Sequence, residues 1–121
     1  MNVRGKFEGK HSDLTGKILG CFFQVHKELG YGFSKKVYEN ALAILLRENG
    51  LNIADMVING VVLLELKAAE KLIDDHAAQL LNYLKATNIE VGPLLNFGPT
   101  AEFRRKVYDN ERKGSLSWVK Q

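Results

Sequence analysis

The sequence predicts an α/β sandwich with a small mixed sheet, and three observations lead to that prediction. Two apolar runs, 56–58 and 61–64, flank Asn59-Gly60, the strongest short-range signal of a β-hairpin. Both runs are too continuously apolar for strands with one wet face, so we expect layers on both sides of the sheet. A helical pattern from Ala68 to about Thr87 then leads to a strand at 91–97, which would lie parallel to the second hairpin strand.

Length and composition indicate one soluble-type domain. The chain has 121 residues, 45% hydrophobic and 26% charged, and we assign residues 12–110 to the domain, between a loose segment at 1–11 and a polar tail at 111–121. We expect Trp118 in that tail to pack against the domain or a second subunit. The single Cys21 excludes an internal disulfide and favours the cytoplasm. A net charge of +3 permits a polyanionic partner without demanding one.

Two helices precede the hairpin. The first begins at Ser12 or Asp13 and runs to about Leu29, with apolar residues at helical spacing. The second runs from Lys35 to Asn49, and Ser34 is its predicted N-cap. We expect helices that pack on the core rather than a coiled coil, because neither has an unbroken heptad.

Three charged residues lie at the ends of the predicted buried strands. Asp55 enters the first strand, and Glu65 and Lys67 leave the second, on one face because they are two residues apart. Taking such charges out of water costs several kcal/mol each unless a partner compensates. A divalent cation is the natural shared partner for two carboxylates.

The register of the hairpin decides whether these carboxylates can meet. A two-residue turn at Asn59-Gly60 would pair Asp55 with Leu64 and put Asp55 on the face opposite Glu65. A one-residue offset, from a bulge or a three-residue loop, would pair Asp55 with Glu65. The apolar pattern permits both, and we favour the offset.

Further candidates follow in the third helix and near the C-terminus. Gln79 and Tyr83 are four apart and share a helix face above the strand ends. We expect structural roles for His26 and His76, and note Asp75 as a possible extra ligand. The basic cluster is either a solvated edge strand or a phosphate-contacting patch. The candidate nucleic-acid contacts are Arg104, Arg105, Lys106, Lys35 and Lys36.

The order Asp55, Glu65-Leu66-Lys67, Gln79-x3-Tyr83 resembles the D…ExK…QxxxY signature of RecB-like PD-(D/E)XK nucleases. More closely, the chain resembles the GxxExxY family, a PD-(D/E)XK-like group, over about Leu14 to Val107. The blocks that carry the resemblance are Val25-His26-Lys27-Glu28-Leu29-Gly30, Val37-Tyr38-Glu39-Asn40-Ala41-Leu42, Glu65-Leu66-Lys67-Ala68, Gln79-Leu80-Leu81-Asn82-Tyr83-Leu84 and Asn96-Phe97-Gly98.

The resemblance implies a three-layer restriction-endonuclease-like sandwich and metal-dependent hydrolysis of DNA, with RNA as an alternative substrate. It implies that Asp55, Glu65 and the Leu66 carbonyl hold Mg²⁺ or Mn²⁺. Lys67 would position a water or stabilise developing charge, Gln79 would orient Lys67 or the water, and Tyr83 would support Gln79 or meet the substrate.

Two features depart from the family pattern. Lys35 stands where the naming motif has glutamate, which removes a helix carboxylate that helps to hold the metal in related nucleases. The link Leu51–Ala54 is some twenty residues shorter than usual, so an edge strand is expected to be missing. An uncovered edge would favour a homodimer. The alternative function is therefore an inactive module of the same fold that binds nucleic acid or protein, or serves assembly.

Overall fold

Three α-helices and six strands form the part of the chain that the computed structural model describes, residues 9 and 11–113. Most of the predicted segment 1–11, and the tail from residue 114 with Trp118, lie outside the described residues. No helix within the described part is long and apolar enough to cross a membrane. In chain order the elements are α1 Ser12–Leu29, α2 Lys35–Glu48, β1 Ile53–Ala54, β2 Val57–Ile58, β3 Val62–Leu63, β4 Glu65–Lys67, α3 Asp74–Ala86, β5 Val91–Phe97, β6 Ala101–Val107 and a 3₁₀ turn Asn110–Arg112.

Strand β5 is the centre of a mixed sheet. It pairs in parallel with β3 and β4, and antiparallel with β6. Val62 pairs with Val91 and Glu65 pairs with Leu94, so β3 and β4 keep the same offset and continue one line along β5. The predicted parallel relation between the strand of Lys67 and the strand at 91–97 is confirmed.

The hairpin has the offset register. Ile58 pairs with Val62 and Val57 pairs with Leu63, which leaves a three-residue loop between β2 and β3. In that loop the Val61 N–H donates to the Ile58 carbonyl at 3.0 Å. The hairpin itself therefore has the offset that we favoured, although its paired residues do not extend back to Asp55.

The edge of the hairpin differs from the expectation. Ile53 and Ala54 pair antiparallel with β2, so the short link itself supplies a two-residue edge strand. Asp55 therefore does not enter a strand with an uncovered edge; it lies with Met56 in the tight turn between β1 and β2, at φ values of 50° and 63°. Such short edge strands limit unwanted pairing, which weakens the argument for a homodimer.

Helices cover both faces of the sheet, which gives the predicted three-layer sandwich. Helices α1 and α2 cover one face, where Tyr38 stacks on Phe97 with ring centroids 4.2 Å apart and Phe22 meets the same ring edge-on at 4.9 Å. Helix α3 covers the other face, where Leu80 and Leu94 are fully buried. The fold is consistent with a restriction-endonuclease-like sandwich.

Helix α3 begins at Asp74, six residues later than the periodicity from Ala68 predicts. The side chain of Asn96 bonds to both backbone groups of Ala69, and the Leu72 N–H donates to Glu102 Oε1 at 3.1 Å. These bonds hold residues 68–73 against β5 and β6, so contacts from distant strands override the local helical pattern.

Candidate active site

Strand β4 directs Glu65 and Lys67 toward α3. Successive side chains of a strand point to opposite faces, so Leu66 enters the core on the side of α1 and α2, where it is 1% exposed. Glu65 and Lys67 are half-buried on the other face, level with Leu94 and Asn96 of β5. The local sequence thus places an acid and an amine side by side beneath one helix.

A cleft of about 620 Å³ lies between β4 and α3, and four of the predicted site residues line it. The strand contributes Glu65 and Lys67, and the helix contributes Gln79 and Tyr83. Tyr83 is 59% exposed, so its ring is offered to whatever enters the cleft. The structure therefore brings together the acid, the amine, the amide and the phenol that the sequence analysis selected.

The sequence analysis missed Asn82, which lines the same cleft. The signal was present, because positions three, four and seven residues after Gln79 share its helix face. These positions are Asn82, Tyr83 and Ala86, and all three line the cleft.

A second cavity, of about 240 Å³, joins Asp55 to this cleft. Asp55 and Glu65 both line it, and Tyr83 lines it as well as the cleft. The two predicted acidic residues therefore border one space, although Asp55 reaches it from an exposed turn rather than from a strand. Glu65 and Tyr83 form the boundary that the two cavities share.

The donor set suits a hard divalent cation that keeps several waters. Asp55 and Glu65 supply carboxylate oxygens. As far as the chain is described, strand β4 pairs with another strand along one edge only. Mg²⁺ is commonly held by one or two carboxylates, with water and substrate phosphate completing the shell. Within the described residues, no group of three or more His, Cys, Asp or Glu could hold a metal ion. Among the residues that the structure describes, the chain thus fits a site with two carboxylates.

The Asn96-Phe97-Gly98 block supports the cleft from behind. Asn96 is fully buried and bonded to Ala69, directly after the Glu65–Lys67 strand. Gly98 lies so close to that segment that a Cβ would be 2.7 Å from the Ala69 carbonyl oxygen. His26 Nε2 donates to the Gly98 carbonyl at 2.8 Å, which confirms the structural role expected of His26.

The motif around Tyr38 is also structural. The Tyr38 hydroxyl donates to the Gly30 carbonyl at 2.5 Å and accepts from the Phe33 N–H at 3.3 Å. These bonds fix the loop between α1 and α2. Lys35, at the motif's glutamate position, lies 3.9 Å from Glu39 and lines neither of the two cavities above.

The basic run on β6 is divided between the two faces of the sheet. Arg104 faces α3, where it lies 3.3 Å from Asp74. Phe103 packs edge-on against Phe23 of α1, so Arg105 shares the α1 side by strand alternation. Burial lowers the pKa of Arg105 from its ordinary value. Consecutive basic residues here do not form one continuous patch, and this favours the edge-strand interpretation.

Two other candidates lie at the start of α3 and do not line the cleft. His76 Nδ1 accepts from the Ile73 N–H at 3.3 Å, which satisfies one backbone donor at the helix N-terminus. Asp75 lies in the exposed first turn, where a negative charge is favoured by the helix dipole. Neither residue needs a role in chemistry to explain its position.

Comparison with known protein families gives a match over most of the chain. A family model described as the PD-(D/E)XK nuclease superfamily matches residues 12–54 and 52–107. The match divides at residues 52–54, the short link that becomes β1. Neither the curated proteins nor the solved structures contain a match to the chain.

Proposed function

We propose that this chain, which belongs to the PD-(D/E)XK nuclease superfamily, hydrolyses phosphodiester bonds at the cleft between β4 and α3. The proposed substrate is DNA, with RNA as the alternative. The observation that carries the proposal is the meeting of Glu65 and Lys67 with Gln79 and Tyr83 around one cleft. We also place the chain in the GxxExxY group of this superfamily, on the sequence blocks described above.

Asp55, Glu65 and the Leu66 carbonyl are the groups that would hold Mg²⁺ or Mn²⁺. When bound, such an ion lowers the pKa of a water and neutralises charge on a phosphoryl group. Carboxylate and carbonyl oxygens are the ligands that these hard ions prefer. The cavity shared by Asp55 and Glu65 supports this assignment.

The remaining cleft residues act on the substrate. The Lys67 ammonium faces the same cleft as Glu65, and it would stabilise negative charge that develops on the phosphate oxygens. The Gln79 amide can donate and accept at once, which suits it to orient a water or the Lys67 ammonium. The exposed ring of Tyr83 is available to contact a base or sugar.

Cleavage of labelled nucleic acid tests the proposal. The purified protein is incubated with end-labelled single-stranded DNA, duplex DNA and RNA, with Mg²⁺, Mn²⁺ or EDTA. We expect metal-dependent cleavage that Lys67→Ala lowers by about 10²-fold or more, as for loss of one transition-state contact. Lys71→Ala, an exposed lysine outside the cleft, is the matched control. Absence of cleavage in every condition, or equal cleavage by Lys67→Ala, overturns the proposal.

A second candidate function is nucleic-acid binding without cleavage. One argument for it is that no third acidic ligand lies at the candidate site within the described residues. The other is that Lys35 occupies the motif's glutamate position, although it lines neither of the two cavities that Asp55 and Glu65 border. Mn²⁺ affinity of the Lys35→Glu variant, measured by calorimetry, separates the two. A gain in affinity over the parent identifies Lys35 as a defect and supports the second function; unchanged affinity removes this argument for it.

Three finer expectations stay predictions: preference for DNA over RNA, a homodimer, and a cytoplasmic location. The substrate panel above tests the first. Light scattering across a range of protein concentrations tests the second.

A further inference from the structure

A third cavity, of about 300 Å³, lies on the far side of the Asp55 turn. Asp55 and Met56 line it together with residues of β1 and one face of α2. The α2 residues Lys36, Asn40 and Arg47 recur at helical spacing and so project from one side of the helix. The third cavity shares Asp55 and Met56 with the second cavity, and the second shares Glu65 and Tyr83 with the cleft. We call this series of three neighbouring cavities, from α2 past the Asp55 turn to α3, the track.

The third cavity is lined by side chains of both charges. Lys36 and Arg47 are positive, and Glu39 and Asp55 are negative. Glu39 lies 3.9 Å from Lys35 and 4.0 Å from Lys36, so Lys35 supplies a second cation against it. Once Asp55 is offset by the cation of the proposed function, the lining residues carry two positive charges against one negative charge, and Lys35 adds a further positive charge beside the cavity.

The track has cationic side chains at both ends and carboxylates in the middle. Lys67 lies in the cleft at one end, and Lys36 and Arg47 lie at the other. Asp55 and Glu65 border the cavity between them. A nucleic-acid strand has one phosphate per nucleotide, so it presents anions to both ends when one phosphate occupies the middle.

We propose that Lys36, Asn40 and Arg47 form a phosphate subsite for the phosphodiester next to the scissile one, on the same nucleic-acid strand. The Lys36 side chain is 78% exposed, and its 4.0 Å contact with Glu39 is a solvent-exposed pair that a phosphate can replace. Arg47 Nη2 donates to the Ile53 carbonyl at 3.5 Å, a weak bond that leaves most guanidinium donors for a ligand. The Asn40 amide adds a neutral donor. The position of this subsite relative to the scissile bond rests on the proposed function.

Binding of a fluorescein-labelled single-stranded oligonucleotide, measured by anisotropy, tests the subsite. All proteins carry Asp55→Asn, which removes the central charge without adding metal, and the buffer contains EDTA. Asparagine tolerates the left-handed turn conformation that Asp55 adopts. We expect the double variant Lys36→Ala with Arg47→Gln to weaken binding roughly ten- to thirtyfold at 0.1 M salt. The slope of log affinity against log salt concentration, here called the salt slope, should become less steep by about 1.4.

The matched control is Lys17→Ala with Lys27→Ala, two exposed lysines of α1 that line none of the three cavities. It should leave the salt slope near the parent value. Glu39→Gln removes an anion from the cavity, so it should tighten binding. If Arg47→Gln fails to fold, Lys36→Glu alone should weaken binding, since that side chain is exposed.

The subsite and the hydrolysis can fail separately. If the parent chain cuts nucleic acid but the double variant binds with unchanged affinity and slope, the subsite is overturned and the function stands. If nothing is cut but the double variant loses affinity and slope, the subsite stands and the hydrolysis is overturned. If the Asp55→Asn protein binds no oligonucleotide at low salt, or if adding Glu39→Gln to it weakens binding, the subsite is also contradicted.

Discussion

Asn96 binds both backbone groups of Ala69: its Oδ1 accepts from the Ala69 N–H at 2.9 Å, and its Nδ2 donates to the Ala69 carbonyl at 3.0 Å. This pair of bonds fixes the chain two residues beyond Lys67. The same Nδ2 lies 3.3 Å from Glu102 Oε1. A fully buried amide thus determines where the strand of the candidate active site ends and where the path to α3 begins.

Asn96→Asp should destabilise the protein strongly. The carboxylate cannot donate to the Ala69 carbonyl, and it would bring a second negative charge beside Glu102 in a buried position. We expect a loss of about 3 kcal/mol in the free energy of unfolding, because a buried charge left without a partner is costly. Urea denaturation measures it, with Asn82→Asp on the exposed face of α3 as the control. Equal stability of the two variants would show that the Asn96 bonds contribute little.

Gly98→Ala and Gly20→Ala should have opposite effects. A Cβ at Gly98 would lie 2.7 Å from the Ala69 carbonyl oxygen and 2.9 Å from Asn96 Nδ2, whereas a Cβ at Gly20 meets nothing within 4 Å. We expect Gly98→Ala to lower the free energy of unfolding by about 2 kcal/mol, because the backbone must move to accommodate the added methyl group. Gly20→Ala, within α1, should stabilise by about 0.5–1 kcal/mol. Thermal melts of both variants check the pair; a neutral Gly98→Ala would mean that the Ala69 segment yields freely.

Tyr38→Phe should loosen the loop between α1 and α2 without disturbing the core. The ring keeps its stack on Phe97, but the bonds to the Gly30 carbonyl and from the Phe33 N–H are lost. We expect about 1–2 kcal/mol of destabilisation and faster hydrogen exchange at Phe33. Tyr83→Phe, at an exposed ring, is the control. A Tyr38→Phe variant with full stability but no nuclease activity would instead assign the hydroxyl a chemical role.

The sequence was sufficient wherever a local signal decided the structure. Asn59-Gly60 predicted the hairpin, and the mainly apolar segment 91–97 predicted a buried strand, because neither needs distant partners to be recognised. Ser34 was identified as an N-cap, and its Oγ accepts from the Val37 N–H at 3.4 Å. The spacing of Gln79 and Tyr83 likewise predicted that they share a face over the strand ends.

Long-range contacts decided what the sequence could not predict. Residues 68–73 have a helical pattern, yet their backbone bonds go to Asn96 and Glu102, which are about thirty positions away. Asp55 looked like a strand residue because the two-residue β1 that returns beside β2 has no pattern of its own. For the basic run at 104–106 the sequence left an edge strand and a phosphate-contacting patch as alternatives, and strand alternation in the folded chain divides the run between two layers.

Cys21 gives the protein a pH dependence whose sign follows from burial. Burial raises the pKa of the thiol above its ordinary value of 9.0, so the folded chain keeps a proton that the unfolded chain releases. The associated stability is fully present below the unfolded pKa, and it is lost as the pH rises through the folded pKa. The urea unfolding free energy of the parent should therefore fall between pH 8 and 10 relative to Cys21→Ala, which lacks the thiol.

The native thiol should also resist a thiol reagent at pH 8 and react on unfolding; rapid labelling of the native chain would contradict the buried position.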